Sequence, residues 1–244
     1  MSVNKDAYGQ ELWNHYKCKI TSEIVERDDG YIDIGPGPKL YFAKFKDWPI
    51  DEKQGIKFAK GRVLDIGCGA GRHSLYLKNK GLDVTAIDSS PLAIKICKLR
   101  GLKAKVLPIV KIGTFKPNSF DTIIMLGNNF GLFGSFIKAK YLLKKMYTIT
   151  SPNAIIIAGS RDPYKTDDAN HLEYHKLNRK RGRMSGQVKI RVRFKKFIGD
   201  WFDYLFVSNR EMINILNGTG WKLKKVISSK DGQYVAIIEK FNRK

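Results

Sequence analysis

The sequence predicts an α/β fold built on a doubly wound, mostly parallel sheet, and three observations support this. Strand-like and helix-like segments alternate from residue 62 to residue 158. The strand-like segments, such as 62–66, have apolar centres, as strands covered on both faces require. A glycine-rich turn directly follows the first of them. At 244 residues, the chain has the length of one such domain with insertions.

The alternating region contains five predicted strands and three predicted helices. Pro91 opens one helix and Gly101 ends it, as proline at the first helical position and glycine after the last one do. The predicted strands are 62–66, 82–87, 103–107, 121–126 and 154–158, and the predicted helices are 71–80, 91–100 and 134–147.

The segments on either side follow different patterns. A helix is expected over 5–17, a hairpin over 23–34 and a short helix over 51–59. Residues 161–207 interrupt the alternation with a polar, basic stretch and a β-hairpin at 187–207. A capping box begins a helix over 208–217, and strands 221–229 and 233–241 form a terminal hairpin. We therefore expect an N-terminal lid segment, 1–60, and a main domain, 61–244, in which 161–207 is a substrate-side insertion.

The charge is strongly positive, with 45 Lys and Arg against 23 Asp and Glu, a net charge of +22. Residues 174–199 include ten of these basic residues and no acidic one. This pattern predicts an anionic partner, either a small metabolite or RNA. No segment approaches the roughly 18 apolar residues of a membrane span, and no signal peptide is evident, so we expect a cytoplasmic protein without membrane contact.

The cysteines and histidines predict neither a disulfide framework nor a metal site. Cys18, Cys68 and Cys97 are odd in number and lack the spacing of a zinc ribbon, so all three are expected to be reduced. His171 and His175 could share one helix face, but no third metal ligand accompanies them.

The turn after the first predicted strand has the spacing D-x-G-x-G-x-G, from Asp65 through Gly67 and Gly69 to Gly71. Glycines at such a turn allow positive φ angles and let a ligand approach the backbone. The spacing fits neither a dinucleotide fingerprint nor a P-loop. Asp88 ends the next strand, where a carboxylate can accept hydrogen bonds from both hydroxyl groups of a ribose.

These residues resemble the motifs of class I S-adenosylmethionine-dependent methyltransferases. The resemblance implies a Rossmann-like, seven-stranded, mostly parallel sheet with an antiparallel C-terminal strand, here with an inserted β-hairpin cap. It also implies that S-adenosyl-L-methionine is the cofactor. The family's usual acidic residue for the adenine amino group is replaced near Ile109, so we expect apolar and backbone contacts there. The cofactor-binding residues that the resemblance implies are Asp65, Gly67, Cys68, Gly69, Gly71, Asp88, Ser89 and Leu126.

The loop after the fourth strand, at Leu126 to Asn129, is similar to the substrate loop of the glycine N-methyltransferases. In that family an Asn of this loop and an Arg after the fifth strand hold the substrate carboxylate. Asn128, with its neighbour Asn129, and Arg161 occupy the matching positions, and Arg and Asn donors suit a carboxylate. The other reading is local, with an Asn that caps a helix and Arg161 paired with Asp162.

We therefore expect a methyltransferase that acts on a nitrogen or oxygen of a small, anionic, carboxylate-bearing metabolite. An RNA methyltransferase is the alternative, in which Arg191 and Arg193 of the basic hairpin contact phosphates. A non-catalytic protein that binds S-adenosylmethionine or nucleic acid is a third possibility. Tyr8, Trp13 and Tyr16 form either a lid over the cofactor or ordinary core packing.

Overall fold

The computed structural model describes residues 5–17, 22–35, 37–229 and 231–241, and Cys18 lies outside them. In these residues, seven strands form the central sheet in the order β11-β12-β7-β6-β3-β4-β5. The pairs from β7 to β5 are parallel, whereas β12 is antiparallel to both β7 and β11. The predicted fold class is therefore confirmed. The strands are β3 (Arg62–Ile66), β4 (Asp83–Asp88), β5 (Lys103–Val106), β6 (Phe120–Met125), β7 (Thr150–Arg161), β11 (Trp221–Ser228) and β12 (Gln233–Lys240).

A second sheet, the cap sheet, joins segments that are far apart in the sequence. Strand β8 pairs with β1 on one side and β10 on the other, β1 also pairs with β2, and β9 pairs with β8. The N-terminal hairpin and the insertion therefore form one layer. The cap strands are β1 (Ile24–Arg27), β2 (Ile32–Ile34), β8 (Gln187–Phe194), β9 (Phe197–Ile198) and β10 (Phe202–Leu205).

Helices cover the central sheet on both faces. On one face, α6 and α8 pack over the larger apolar cluster, which includes Leu143, Met212 and Trp221. On the other, Trp48 and Ile56 pack against β3, β7 and β12. The helices are α1 (Ala7–Tyr16), α2 (Lys39–Phe42), α3 (Ile50–Gly55), α4 (Arg72–Asn79), α5 (Pro91–Leu99), α6 (Phe136–Ile149), α7 (Ala169–Lys180) and α8 (Asn209–Leu216). In the described part of the chain, no helix combines the length and apolarity that a membrane crossing needs.

Several element boundaries differ from the prediction for local reasons. The sixth helix begins at Phe136 rather than residue 134, because Gly134 has φ of +72° and Ser135 caps the helix. Helix α7 was missed, because its polar sequence has a buried stripe of only a few residues, including Tyr174 and Asn178. Strand β7 is longer than predicted because it pairs with β12 through Arg161.

A buried ion-pair cluster links α3 to the start of α4. Arg72 lies 2.7 Å from Glu52, and His73 Nε2 lies 3.0 Å from the same carboxylate, with all three side chains at most 7% exposed. These two partners hold the pKa of Glu52 below its usual value despite burial, which acts in the opposite direction. Arg72 is the first residue of α4, so this cluster fixes the helix that follows the glycine-rich turn.

Replacement of Glu52 by Ala should therefore lower the free energy of unfolding by about 3 kcal/mol, because it leaves buried Arg72 without its carboxylate. Urea denaturation measures this change. Glu173→Ala, which removes an exposed pair with Lys176, is the matched control and should alter stability little. Equal, small losses in both variants would contradict the assignment.

Candidate active site

The turn between β3 and α4, residues 67–71, is termed the glycine loop. Gly69 and Gly71 have φ angles of +54° and +79°. A Cβ atom at Gly71 would lie 2.5 Å from Leu102 Cδ1, and one at Gly69 would lie 2.7 Å from the Tyr8 hydroxyl oxygen. Both positions therefore need glycine for conformation and for space. The loop presents bare backbone towards the N-terminal helix, as a cradle for a ligand does.

Two carboxylates of the predicted site, Asp65 and Asp88, form hydrogen bonds at the glycine loop and at the helix that follows it. Asp65 is buried, and its Oδ2 accepts a hydrogen bond of 2.6 Å from Ser74 Oγ in α4. Asp88 Oδ2 accepts from the Gly69 amide at 3.0 Å, and its Oδ1 accepts from the Ser90 amide at 2.9 Å. Separation from water raises the pKa of both groups, that of Asp88 to about 6. The carboxylate of Asp88 is thus oriented directly at the glycine loop.

The other predicted cofactor residues are divided between core and surface. The Cys68 side chain points into an apolar cluster, with its Sγ 3.7 Å from Cys97 Sγ. Both are free thiols, and the contact with Cys97, together with burial, raises the pKa of Cys68. Leu126 is buried and Ser89 is exposed beside Asp88. Ile109 begins a 3-10 helix and packs against the main core.

The loop after β6 contacts the glycine loop directly. Asn129 Nδ2 donates to the carbonyl oxygens of Ile66 and Gly67, at 3.0 and 2.8 Å. Asn128 has φ of +65°, and its carbonyl oxygen accepts a 2.7 Å hydrogen bond from the Tyr204 hydroxyl in β10. The structure therefore binds Asn129 to the backbone of the glycine loop and Asn128 to Tyr204 of the cap sheet.

The three predicted arginines have partners elsewhere. Arg161 is exposed, and its Nε donates to the carbonyl oxygen of Asp231 in the turn between β11 and β12. Arg191 and Arg193 both bind Glu26, at 2.8 and 3.0 Å. In the cap sheet, Tyr204 pairs with Val188, whose side chain points to the face opposite that of these two arginines. The structure thus does not bring Arg191 and Arg193 to the face that contacts the glycine loop.

The face of the cap sheet that includes Tyr204 contributes residues that the sequence analysis did not select. Glu23 precedes β1 on this face, and Tyr41 Oη lies 3.5 Å from Glu23 Oε1. Tyr41 also lies beside Gly69, next to Tyr8. From α1, Glu11 lies against Glu23. The sequence signal for this contact was Glu11, a glutamate among the apolar positions of α1. Its partner, Glu23, lies in another element, so the contact could not be predicted from the pattern of α1 alone.

Helix α1 is fixed over this region by Asp6. Its Oδ2 accepts hydrogen bonds from Ser90 Oγ at 2.8 Å and from the Leu92 amide at 3.2 Å, at the start of α5. This contact places Tyr8 over the glycine loop, where burial and the neighbouring Tyr41 and Asp88 raise its pKa. The site is therefore enclosed by α1, α2 and the cap sheet.

The chain resembles known proteins over different parts of its length. Residues 63–153 match the model of a family described as "Methyltransferase domain". A ubiquinone biosynthesis O-methyltransferase of Xanthomonas euvesicatoria is 35% identical over 74 residues, or 28% of this chain and 31% of that protein. One from Xanthomonas oryzae is 43% identical over 74 residues, with the same coverage. The chain thus spans about a third of the length of these curated relatives.

Solved structures match over much more of the chain. A methyltransferase from Bacteroides fragilis, described as S-adenosylmethionine-dependent and solved with S-adenosyl-L-homocysteine, has a TM-score of 0.85 and 28% identity. The match covers 99% of this chain and 98% of that one. A protein from Methanosarcina mazei, at 18% identity and a TM-score of 0.61 over 77% of this chain and 96% of that one, shares the fold. The first match therefore includes the cap sheet as well as the central sheet.

The Glu11 carboxyl should make stability depend on pH. Burial and the adjacent Glu23 raise its pKa from 4.5 to about 8, while Glu23 itself faces Tyr41 and Asp33 and is also raised. The folded state therefore binds an extra proton between these values, so the free energy of unfolding falls as pH rises from about 4.5 to about 8. Glu11→Gln should remove this loss, with a melting temperature that exceeds the wild type increasingly towards pH 8.

Thermal unfolding at several pH values from 5 to 8.5 checks this expectation. Glu26→Gln is the control from the same sheet: the Arg191 and Arg193 partners lower the Glu26 pKa, so its replacement removes stability and adds none near pH 8. A Glu11→Gln variant that lost stability equally at every pH would show that the carboxyl is ionised and paired.

Proposed function

The chain belongs to the class I S-adenosylmethionine-dependent methyltransferases, enzymes that take their methyl group from that cofactor, and we propose that it methylates a nitrogen or oxygen of a small metabolite. The family membership confirms the resemblance found in the sequence. The relatives named for ubiquinone biosynthesis match over 74 residues, or 28% of this chain. Their names therefore support the reaction type and leave the acceptor to be argued from this chain.

The enclosure of the glycine loop is the observation that supports a small acceptor. Gly69 is buried beneath Tyr8 and Tyr41, and Tyr204 closes the side next to Asn128. Sites for small ligands are typically enclosed and have a few placed polar groups. A structured RNA would need an open surface along this edge.

The residues present fit the cofactor. The backbone cradle at Gly67, Gly69 and Gly71 has no room for side chains, and the carboxylate of Asp88 stands beside it for the ribose. Asp65 supports the cradle through Ser74. When bound, the cofactor supplies a methyl group on a positively charged sulfur, which a nitrogen or oxygen lone pair can attack.

The contribution of the chain itself is alignment and exclusion of water. Asn129 and Asp88 fix the loop on which the cofactor lies, while Tyr8 and Tyr41 cover it. A displacement at carbon gains most from such positioning. The acceptor must then approach from the side of the cap sheet.

The structure supports the prediction of an anionic acceptor less strongly than the sequence does. Glu26 already binds the two arginines expected to contact phosphates, and their face points away from Tyr204. This arrangement favours a metabolite over RNA. A carboxylate on the metabolite, held by Asn128 and Arg161, stays a prediction from the family resemblance.

Asp88→Ala should weaken binding of S-adenosylhomocysteine by at least about tenfold. The ribose hydroxyl groups would lose their hydrogen-bond acceptor, and the Gly69 amide would lose the carboxylate to which it donates. Isothermal titration calorimetry measures this. Asp83→Ala, at the exposed start of the same strand, is the control and should bind as the wild type does. An unchanged affinity in Asp88→Ala would place the cofactor elsewhere.

The choice between metabolite and RNA can be tested with methyl-labelled S-adenosylmethionine and two fractions of a cell extract, small molecules and total RNA. We expect label in the small-molecule fraction, and a rate within about twofold of wild type in the double variant Arg191→Ala, Arg193→Ala, since these residues face away from the pocket. Labelled RNA that is lost steeply with added salt would support the alternative. Label in neither fraction, with intact cofactor binding, would favour a non-catalytic protein.

A further inference from the structure

Two buried glutamates beside the glycine loop have no cationic partner among the described residues. Glu11 is fully buried, and its carboxyl group faces the carboxyl group and backbone of Glu23, with no basic side chain against it in the described part of the chain. Glu23 is 3% exposed, and its neighbours include Tyr41, Glu11 and Asp33. We call Glu11 and Glu23 the acidic pair.

The lack of a partner is notable in this chain, where basic residues outnumber acidic ones by 45 to 23. Three other buried acids of the described residues have donors: Glu52 binds Arg72, Asp65 binds Ser74, and Asp6 binds Ser90. Asp51 of α3 is buried as well, and its Oδ1 lacks a partner among these residues. A buried carboxylate without a donor costs several kcal/mol in general. A cationic ligand would supply the missing partner.

The acidic pair lies on the side from which an acceptor must approach. Tyr41 connects it to the site, because its ring lies beside Gly69 and its hydroxyl lies 3.5 Å from Glu23. Burial and the neighbouring Glu23 and Glu11 raise the pKa of Tyr41. The pair is therefore in the same enclosure as the glycine loop and the loop at Asn128.

We propose that Glu11 and Glu23 bind the ammonium group of the acceptor, which makes the substrate of this methyltransferase a small amine. This inference rests on the proposed function and names its substrate class. Two adjacent carboxyl groups complement the charge and the several N–H donors of an ammonium ion, and Tyr41 adds an oxygen and an aromatic face.

The same pair accounts for the proton that an amine must lose. An ammonium nitrogen has no free electron pair, so one proton passes from the nitrogen to a carboxylate of the pair and leaves a neutral amine. The carboxylic acid later returns the proton to solvent. Carboxyl groups with raised pKa values suit this exchange near neutral pH.

The cofactor also has an ammonium group, so the experiment must separate the two sources. The protein is saturated with S-adenosylhomocysteine and titrated by calorimetry with three probes: ethylammonium, butylammonium and phenethylammonium. The matched alcohols, ethanol, butanol and phenethyl alcohol, are titrated in parallel. We expect at least one ammonium ion to bind, with its alcohol about tenfold weaker or worse.

Glu11→Gln and Glu23→Gln should each weaken that ammonium by about tenfold or more while affinity for S-adenosylhomocysteine stays unchanged. Glu26→Gln, on the opposite face of β1, is the control and should bind the ammonium as the wild type does. The melting temperature of each variant shows that it is folded.

Three outcomes would overturn the inference. In the first, no ammonium probe binds. In the second, the alcohols bind as tightly as the ammonium ions. In the third, the Gln variants still bind the ammonium ion but no longer bind S-adenosylhomocysteine. The last would assign the pair to the cofactor's own ammonium. Failure of the proposed function is distinguishable, because it is read in the labelling experiment, as label in RNA or in neither fraction, and not in the binding of the ammonium probes.

Discussion

The turn between β3 and α4 is held by hydrogen bonds from three directions, and the rest of the site depends on them. Asp88 accepts from the Gly69 amide, Asn129 donates to the carbonyl oxygens of Ile66 and Gly67, and Ser74 donates to Asp65 beneath the turn. Asp88 ends β4, Asn129 follows β6, and Ser74 lies in α4. The loop can therefore expose bare backbone to a ligand and keep its shape, which is the condition for a preorganised cofactor site.

The cap sheet separates two chemical environments. Because side chains alternate along a strand, Glu26 and Arg191 lie on one face, whereas Glu23 and Tyr204 lie on the other. The first face satisfies its charges with ion pairs that contact water. The second turns acidic and phenolic groups towards the glycine loop. Much of the positive charge of the insertion is thereby kept away from the site, and the pocket itself is acidic.

How much of the fold and of the site the sequence predicts depends on how far apart in the chain the interacting residues are. The central sheet follows from local signals, since apolar runs, a proline at the start of α5 and glycines at turns act over a few residues. The same holds for the glycine loop and Asp88, whose spacing lies within one strand–helix–strand unit. Helix α7 had too weak an apolar stripe to be found this way.

The sequence by itself determined the fold class and the family, and it predicted the positions that would cradle the cofactor, because these depend on short-range patterns. Only the tertiary structure decided what faces the pocket. The pairing of β1 with β8 sets which residues of the basic strand point inwards, and it joins residues more than 160 positions apart. The meeting of Glu11, Glu23 and Tyr41 likewise follows from packing among α1, the start of β1 and α2. The net charge of +22 therefore describes the surface of the protein. The charge of the pocket depends instead on two buried acidic residues, Glu11 and Glu23.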